Sequence, residues 1–174
     1  LKDWVALSYL LCRIVDTIED SEWSDVSEQL AVFKIFDNSL GSADQVLPIA
    51  SWMSRFPDSL TEGEKQLIND AYRLIGDLHK FPDSVRSVIA DLVLSMSQGM
   101  QHFCSRRQSG KLRLDTLGEV NQYCFFVAGI VGELLAKLVA KVEPSFDLSQ
   151  ESLLRAHHFG LFLQKVNLLK DQVV

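Results

Sequence analysis

Arg13-Ile14-Val15-Asp16-Thr17-Ile18-Glu19-Asp20 closes an apolar run that begins at Val5, and its reading decides the fold. As a helix it puts Asp16 and Asp20 on one face, with Glu19 beside them, Arg13 one turn back and Tyr9 one turn further. From Tyr9 to Val15 every side except that of Arg13 is apolar, unlike a surface helix with its charged stripe. The pattern predicts a buried helix whose carboxylates aim inward. Converging carboxylates repel one another unless a cation joins them. Hard oxygen donors suit Mg²⁺, which keeps several waters and bridges to substrate phosphates. The ligand this chemistry asks for is a magnesium diphosphate. A solvated acidic turn is the competing reading of a lone DxxxD, and a second polar stretch near the C-terminus weighs against it.

Outward from that helix the punctuation predicts helices throughout. Ser21 to Asp25 breaks the first; Ser27 to Leu40 carries Leu30, Phe33, Ile35 and Phe36, and Gly41 stops it. A short helix from Leu47 to Met53 precedes Pro57. Thr61 and Glu64 form a capping box for a helix that runs to His79. Pro82 starts the next, with Val85, Val88, Ile89, Leu92, Val93, Met96 and Met100 on one face, ending in a loop from Ser105 to Arg113. Asp115-Thr116 opens a long helix, Leu117 to Val142, closed by Pro144, and the last begins near Ser149. No stretch alternates with period two. The expectation is an all-α bundle of about seven helices.

A chain of 174 residues, 47% hydrophobic, is long enough for a single domain with its own core, here residues 1–174. Its 17 basic and 23 acidic residues give a net charge of −6 without a basic stripe, which argues against a nucleic-acid surface. Arg106-Arg107 is the densest basic spot and falls in a loop. Cys12, Cys104 and Cys124 form no CxxC and cannot all pair, so a reducing, cytoplasmic setting is expected. No charged-then-apolar leader precedes the first helix, and no apolar run is read as reaching the ~18 residues of a membrane span. Because the chain begins at Leu1 in mid-pattern and stops at Val174 within a helix, it reads as a fragment cut at both ends.

Two further stretches stand out. Tyr123-Cys124-Phe125-Phe126-Val127-Ala128-Gly129-Ile130-Val131-Gly132 is apolar and holds two glycines, each costing a helix about 1 kcal/mol against alanine. They serve either a close helix crossing or room for a long hydrocarbon. Gly99, in Met96-Ser97-Gln98-Gly99-Met100, poses the same choice. In the last helix Gln164, Asn167 and Asp171 fall at i, i+3 and i+7, two amides and a carboxylate on one face of an apolar helix. Buried polar groups need partners, in backbone or in ligand.

Together these residues are familiar. The chain resembles the squalene/phytoene synthase family of head-to-head prenyltransferases through four blocks: Tyr9 to Asp20, Met96 to Met100, Tyr123 to Gly132 and Leu161 to Asp171. The DTIED form and the YCxxVAGxVG block are nearer to the squalene-forming branch. The resemblance implies the all-α isoprenoid synthase bundle, with two aspartate motifs facing each other across a central cavity and holding Mg²⁺ on prenyl diphosphates. Carried over residue by residue, Asp16 and Asp20 would bind metal with Glu19 assisting, and Arg13 would contact diphosphate oxygens. Gln164 and Asn167 would stand on the substrate side of the second motif, with Asp171 its metal ligand. Tyr123 matches a tyrosine implicated in proton handling and Tyr9 one tied to the reductive half-reaction. NADPH would be consumed if squalene is formed, and a phytoene or dehydrosqualene synthase would need none. A non-catalytic helical relative is the reading from outside the enzyme class. Peripheral membrane contact and oligomeric state stay open.

The departures are specific. The family's second motif has another carboxylate four residues after Asp171, one residue past Val174, and an upstream serine/arginine block would precede Leu1. Lys170 replaces a usual arginine, keeping charge without bidentate geometry. Phe126 stands where the squalene-forming branch often has a second tyrosine.

Overall fold

Helix starts follow the side chains that can satisfy free amides. Thr61 and Glu64 close the expected capping box, the Thr61 N–H donating to Glu64 Oε2 at 2.8 Å and the Glu64 N–H to Thr61 Oγ1 at 3.3 Å. Thr116 and Glu119 form a second box, Asp25 accepts from the Ser27 N–H at 2.8 Å, and Pro82 occupies an N-cap. The structure, a computed structural model, describes residues 1–42, 49–107 and 112–171, with Ile49, Ala50 and Asp171 described by backbone alone. Its helices are α1 (Lys2–Asp20), α2 (Val26–Gly41), α3 (Ile49–Met53), α4 (Glu62–Leu78), α5 (Asp83–Cys104), α6 (Leu117–Cys124), α7 (Ile130–Ala140) and α8 (Gln150–Asp171). A π turn, Phe125–Gly129, joins α6 to α7 in one rod. Counting that rod once, the described residues form the bundle of about seven helices that the punctuation predicts, without a strand. The expected start of α3 at Leu47 and the middle of the Ser105–Arg113 loop lie outside the described residues.

Helix α1 is the centre of the bundle, packed on α2, α4 and α5. Its Leu11, Ile14, Val15 and Ile18 are sealed among Phe33 and Phe36 of α2, Ile68 and Leu78 of α4, and Ile89 and Met96 of α5. Between α2 and α5 the half-buried Asp37 accepts from Ser97 Oγ at 2.6 Å and Gln101 Nε2 at 2.8 Å. Burial raises its carboxyl pKa, and these two hydrogen bonds oppose the rise.

The α6–α7 rod lies on α5, and α8 lies on the rod. A Cβ on Gly132 would sit 2.2 Å from the Ala156 carbonyl oxygen, and one on Gly160 would sit 2.3 Å from that of Ala128. Rod and α8 therefore meet backbone to backbone, and of the two readings of Gly129 and Gly132 the close crossing is the one the structure supports. Gly99 differs: its missing Cβ leaves a notch in α5 filled by the Phe126 ring, 2.1 Å from where that carbon would be.

One expectation is corrected. Leu117–Ala140 is 24 residues of continuous helix, with a mean hydropathy of 1.8 over its most apolar window, long and apolar enough to cross a membrane by length and composition. The expectation is that no apolar run reaches the ~18 residues of a membrane span. In the structure Glu133 and Lys137, which interrupt the apolar side chains of α7, face each other across one turn, 3.7 Å apart, so the rod is interrupted by a pair rather than by an isolated charge.

Candidate active site

The last turns of α1 build the site. Arg13 Nη1 donates to Asp16 Oδ2 at 3.0 Å, and both residues, with Tyr9, border a cavity of about 260 Å³. Its other walls are Cys12, Met96 of α5, Val127 of the π turn, and Val131, Leu134 and Leu135 of α7. The cavity is thus apolar except at the α1 mouth. Burial pushes the Asp16 carboxyl up to about 6, against the pull of Arg13 and with the added push of Asp20. Burial also holds the Cys12 thiol at about 12, so it stays protonated and inert. Tyr9 reaches this mouth from a largely exposed position, 63% accessible.

Glu19 and Asp20 part company. Asp20 is exposed and makes no ion pair among the described residues. Glu19 is 3% exposed and its carboxylate accepts from Arg107 Nη2, while Arg107 Nη1 donates to the Glu19 carbonyl oxygen at 3.0 Å. The sequence reading put Glu19 beside the metal and Arg107 in a loop without a role; the structure turns Glu19 inward onto Arg107. One signal in the sequence was available, a charge count: three carboxylates share a helix end with only Arg13 nearby.

Tyr123 stands on α6 with its ring edge-on to the buried Phe103, centroids 5.3 Å apart and planes at 88°. With Leu117, Val120, Lys165, Leu168 and Leu169 it lines a second cavity of about 600 Å³ between α6 and α8. Burial, and then the charges of Glu19, Asp20 and Asp16, push its phenol pKa upward despite Arg107. Tyr123 therefore lies within electrostatic reach of the acidic cluster and keeps its proton at neutral pH. Gln164 is half-buried on α8 and Asn167 is exposed. Asp171 closes the helix, and its side chain lies outside the described residues. The structure thus brings together Tyr9, Arg13 and Asp16 at one cavity and places Tyr123 opposite Lys165 at another.

Among the described residues no three His, Cys, Asp or Glu side chains converge on a metal position. Mg²⁺, however, is commonly held by one or two carboxylates plus substrate phosphates rather than by an all-protein cage. Asp16 and Asp20 fit that mode. They are hard donors four residues apart on one helix face, the charge of Asp20 raises the proton affinity of Asp16, and the last turn of α1 holds no basic residue.

The squalene/phytoene synthase family model matches residues 1–173. Squalene synthase from Eremothecium gossypii is 28% identical over 172 residues, 98% of this chain and 37% of that protein. The Homo sapiens squalene synthase is 29% identical over 171 residues, with the same two coverages of 98% and 37%. Among solved structures, the complex of TcSQS with the ligand BPH1237 superposes with a TM-score of 0.76 at 26% identity, over 97% of this chain and 45% of that one. The chain therefore spans less than half the length of the relatives it matches. A family match from end to end, on a helical fold shared with TcSQS, settles the assignment: the chain belongs to the squalene/phytoene synthase family.

Proposed function

We propose that the protein is a Mg²⁺-dependent head-to-head prenyltransferase that joins two farnesyl diphosphates through a cyclopropyl diphosphate and, with NADPH, takes it to squalene. The observation that carries this reading is the apolar cavity with Arg13 and Asp16 at its mouth. Ionising an allylic diphosphate breaks a C–O bond, sends the electron pair to the leaving group and leaves a carbocation on the chain. The two products need opposite surroundings. The anion wants cations and hydrogen-bond donors, and the cation wants walls that exclude water.

Arg13 is set to hold diphosphate oxygens at the mouth. Asp16 and Asp20 would hold Mg²⁺, which when bound neutralises charge developing on the leaving diphosphate. Met96, Val127, Val131 and Leu134 supply a dry wall for the prenyl chain. Tyr123 keeps its proton, so its part is to donate toward the departing diphosphate, directly or through one water. Gln164, Asn167 and Asp171 would complete the substrate and metal side from α8. Tyr9 would serve the reductive half; no described residue is assigned to the nicotinamide cofactor. The greasy substrate, the apolar 117–140 rod and three free cysteines support a place in a reducing compartment, cytoplasmic and in peripheral contact with a membrane.

The test is a product assay on the full chain with farnesyl diphosphate, Mg²⁺ and NADPH. Squalene is the expected product, and leaving out NADPH should leave the cyclopropyl intermediate or its rearranged products. Asp20→Asn, which removes a metal-binding charge but little volume, should lower turnover by roughly 10²-fold or more with folding unchanged. Phytoene from geranylgeranyl diphosphate without reductant would replace this reading with the non-reducing one. No product from either substrate would leave a non-catalytic relative.

A further inference from the structure

The last turn of α1 defies helix electrostatics. A helix C-terminus carries partial negative charge from its unpaired carbonyls and favours cations. Here it carries Glu19 and Asp20, with Asp16 one turn before and no basic residue in the turn. Neutral donors satisfy part of the demand. Ser21 Oγ donates to the Thr17 carbonyl at 2.5 Å, Trp23 Nε1 and Gln29 Nε2 each donate to that of Ile18 at 2.8 Å, and Gln29 also reaches that of Glu19 at 3.1 Å. None of them offsets charge.

That charge comes from a residue 88 positions away: Arg107, just past α5, grips both the carboxylate and the carbonyl of Glu19. Its neighbour Arg106 is paired with Glu119, the residue that closes the capping box of α6. Two adjacent arginines thus fasten one short segment to the acidic end of α1 and to the start of the helix that carries Tyr123.

We propose that Arg107 is a positioning residue for the metal and diphosphate site. It neutralises Glu19 and pins the α1 terminus, so that Asp16 and Asp20 alone face the cation. Glu19 is then the buried counter-charge of Arg107 and not a metal ligand. The proposal rests on the metal-site reading given under Proposed function. Its chemistry is that of residues behind a metal site, whose loss weakens binding without their touching the ion.

The experiment uses the full chain and Mn²⁺ with inorganic diphosphate, followed by titration calorimetry, alongside hydrogen exchange of amides 17–21. Arg107→Met should weaken Mn²⁺–diphosphate binding by about 10–100-fold and speed exchange at 17–21. Arg107→Lys should recover part of both. The double variant Glu19→Gln with Arg107→Met should recover most of the affinity, because a neutral amide no longer needs the buried cation. A double variant no better than Arg107→Met would show that Arg107 contacts the diphosphate itself and would overturn the proposal. So would wild-type binding and wild-type exchange in Arg107→Met. A wild-type chain that binds no Mn²⁺–diphosphate would instead overturn the metal-site reading, and exchange at 17–21 would still report whether Arg107 pins the helix end.

Discussion

Helices α1 and α8 carry similar loads, a few polar side chains in an apolar helix, yet the bundle treats them differently. On α1, Leu11, Ile14, Val15 and Ile18 are wholly buried, whereas on α8, Phe159, Phe162 and Leu169 are 62%, 61% and 66% exposed. Helix α1 has α2, α4 and α5 around it; α8 rests on the α6–α7 rod through one glycine-lined crossing. Rigidity at a reacting centre comes from packing behind the groups that do the work. Within the described residues that packing is concentrated behind Asp16 and Arg13. Gln164 and Asn167 stand on a helix held along one edge.

This contrast can be broken by substitution. The largest effect is expected from Leu11→Ala on α1, which should lower the unfolding free energy by about 2–5 kcal/mol in a urea titration, through lost burial and a residual cavity. A loss below about 1 kcal/mol would mean that α1 is not the packed centre.

Next is a dependence on pH carried by Asp16 at the α1 end. Asp16 has a folded-state pKa of about 6, against an ordinary 3.8. Between those values the folded state binds the extra proton, so this group's contribution favours folding at low pH and is lost as pH rises from about 4 to about 6. The swing is about 3 kcal/mol at 1.36 kcal/mol per unit. It should appear, in metal-free protein, as the difference between wild type and Asp16→Asn unfolding curves measured across that range. A difference independent of pH would mean that Asp16 is as well solvated as a surface carboxylate.

Gly132→Ala probes how α8 is held. Its new methyl would strike the Ala156 backbone, so a loss of about 1–3 kcal/mol is expected, with the melting temperature as readout. Smallest of all, Phe162→Ala on the exposed face of α8 should change stability by no more than about 0.5 kcal/mol. A larger loss in the full chain would show that this face is covered there.

What could be read in advance was whatever is written locally. Thr61 with Glu64, Gly41 and Pro82 mark helix ends by chemistry that spans a few residues, and the apolar surroundings of Asp16 declared α1 buried. Arg107 was not legible because its partner lies 88 positions away and no periodicity links them. The glycines of the Tyr123–Gly132 block had two explanations until α8 was seen to occupy the space against Gly132. The exposed face of α8 was equally hidden, since composition reports that a helix is apolar and not which neighbours reach it.

The π turn at Phe125–Gly129 sets a phase relation along the rod. Its wider loop, in which the Ile130 N–H reaches back to the Phe125 carbonyl, accommodates one residue more than an α-helix would over the same rise. Each residue of an α-helix advances the side chains by about 100°, and the π turn absorbs its extra residue by widening, so Tyr123 keeps its phase relative to Gly129 and Gly132. Deleting a single residue here would restore a regular helix with that phase roughly kept, whereas deleting two would turn Tyr123 by about 100° relative to the glycines. If the glycines then stayed on α8, the phenol would leave the cavity wall. If the phenol stayed, bulkier residues would meet Ala156. The π turn is therefore a reserve of one residue, and a two-residue deletion between Phe125 and Ala128 should be far more damaging than a one-residue deletion there.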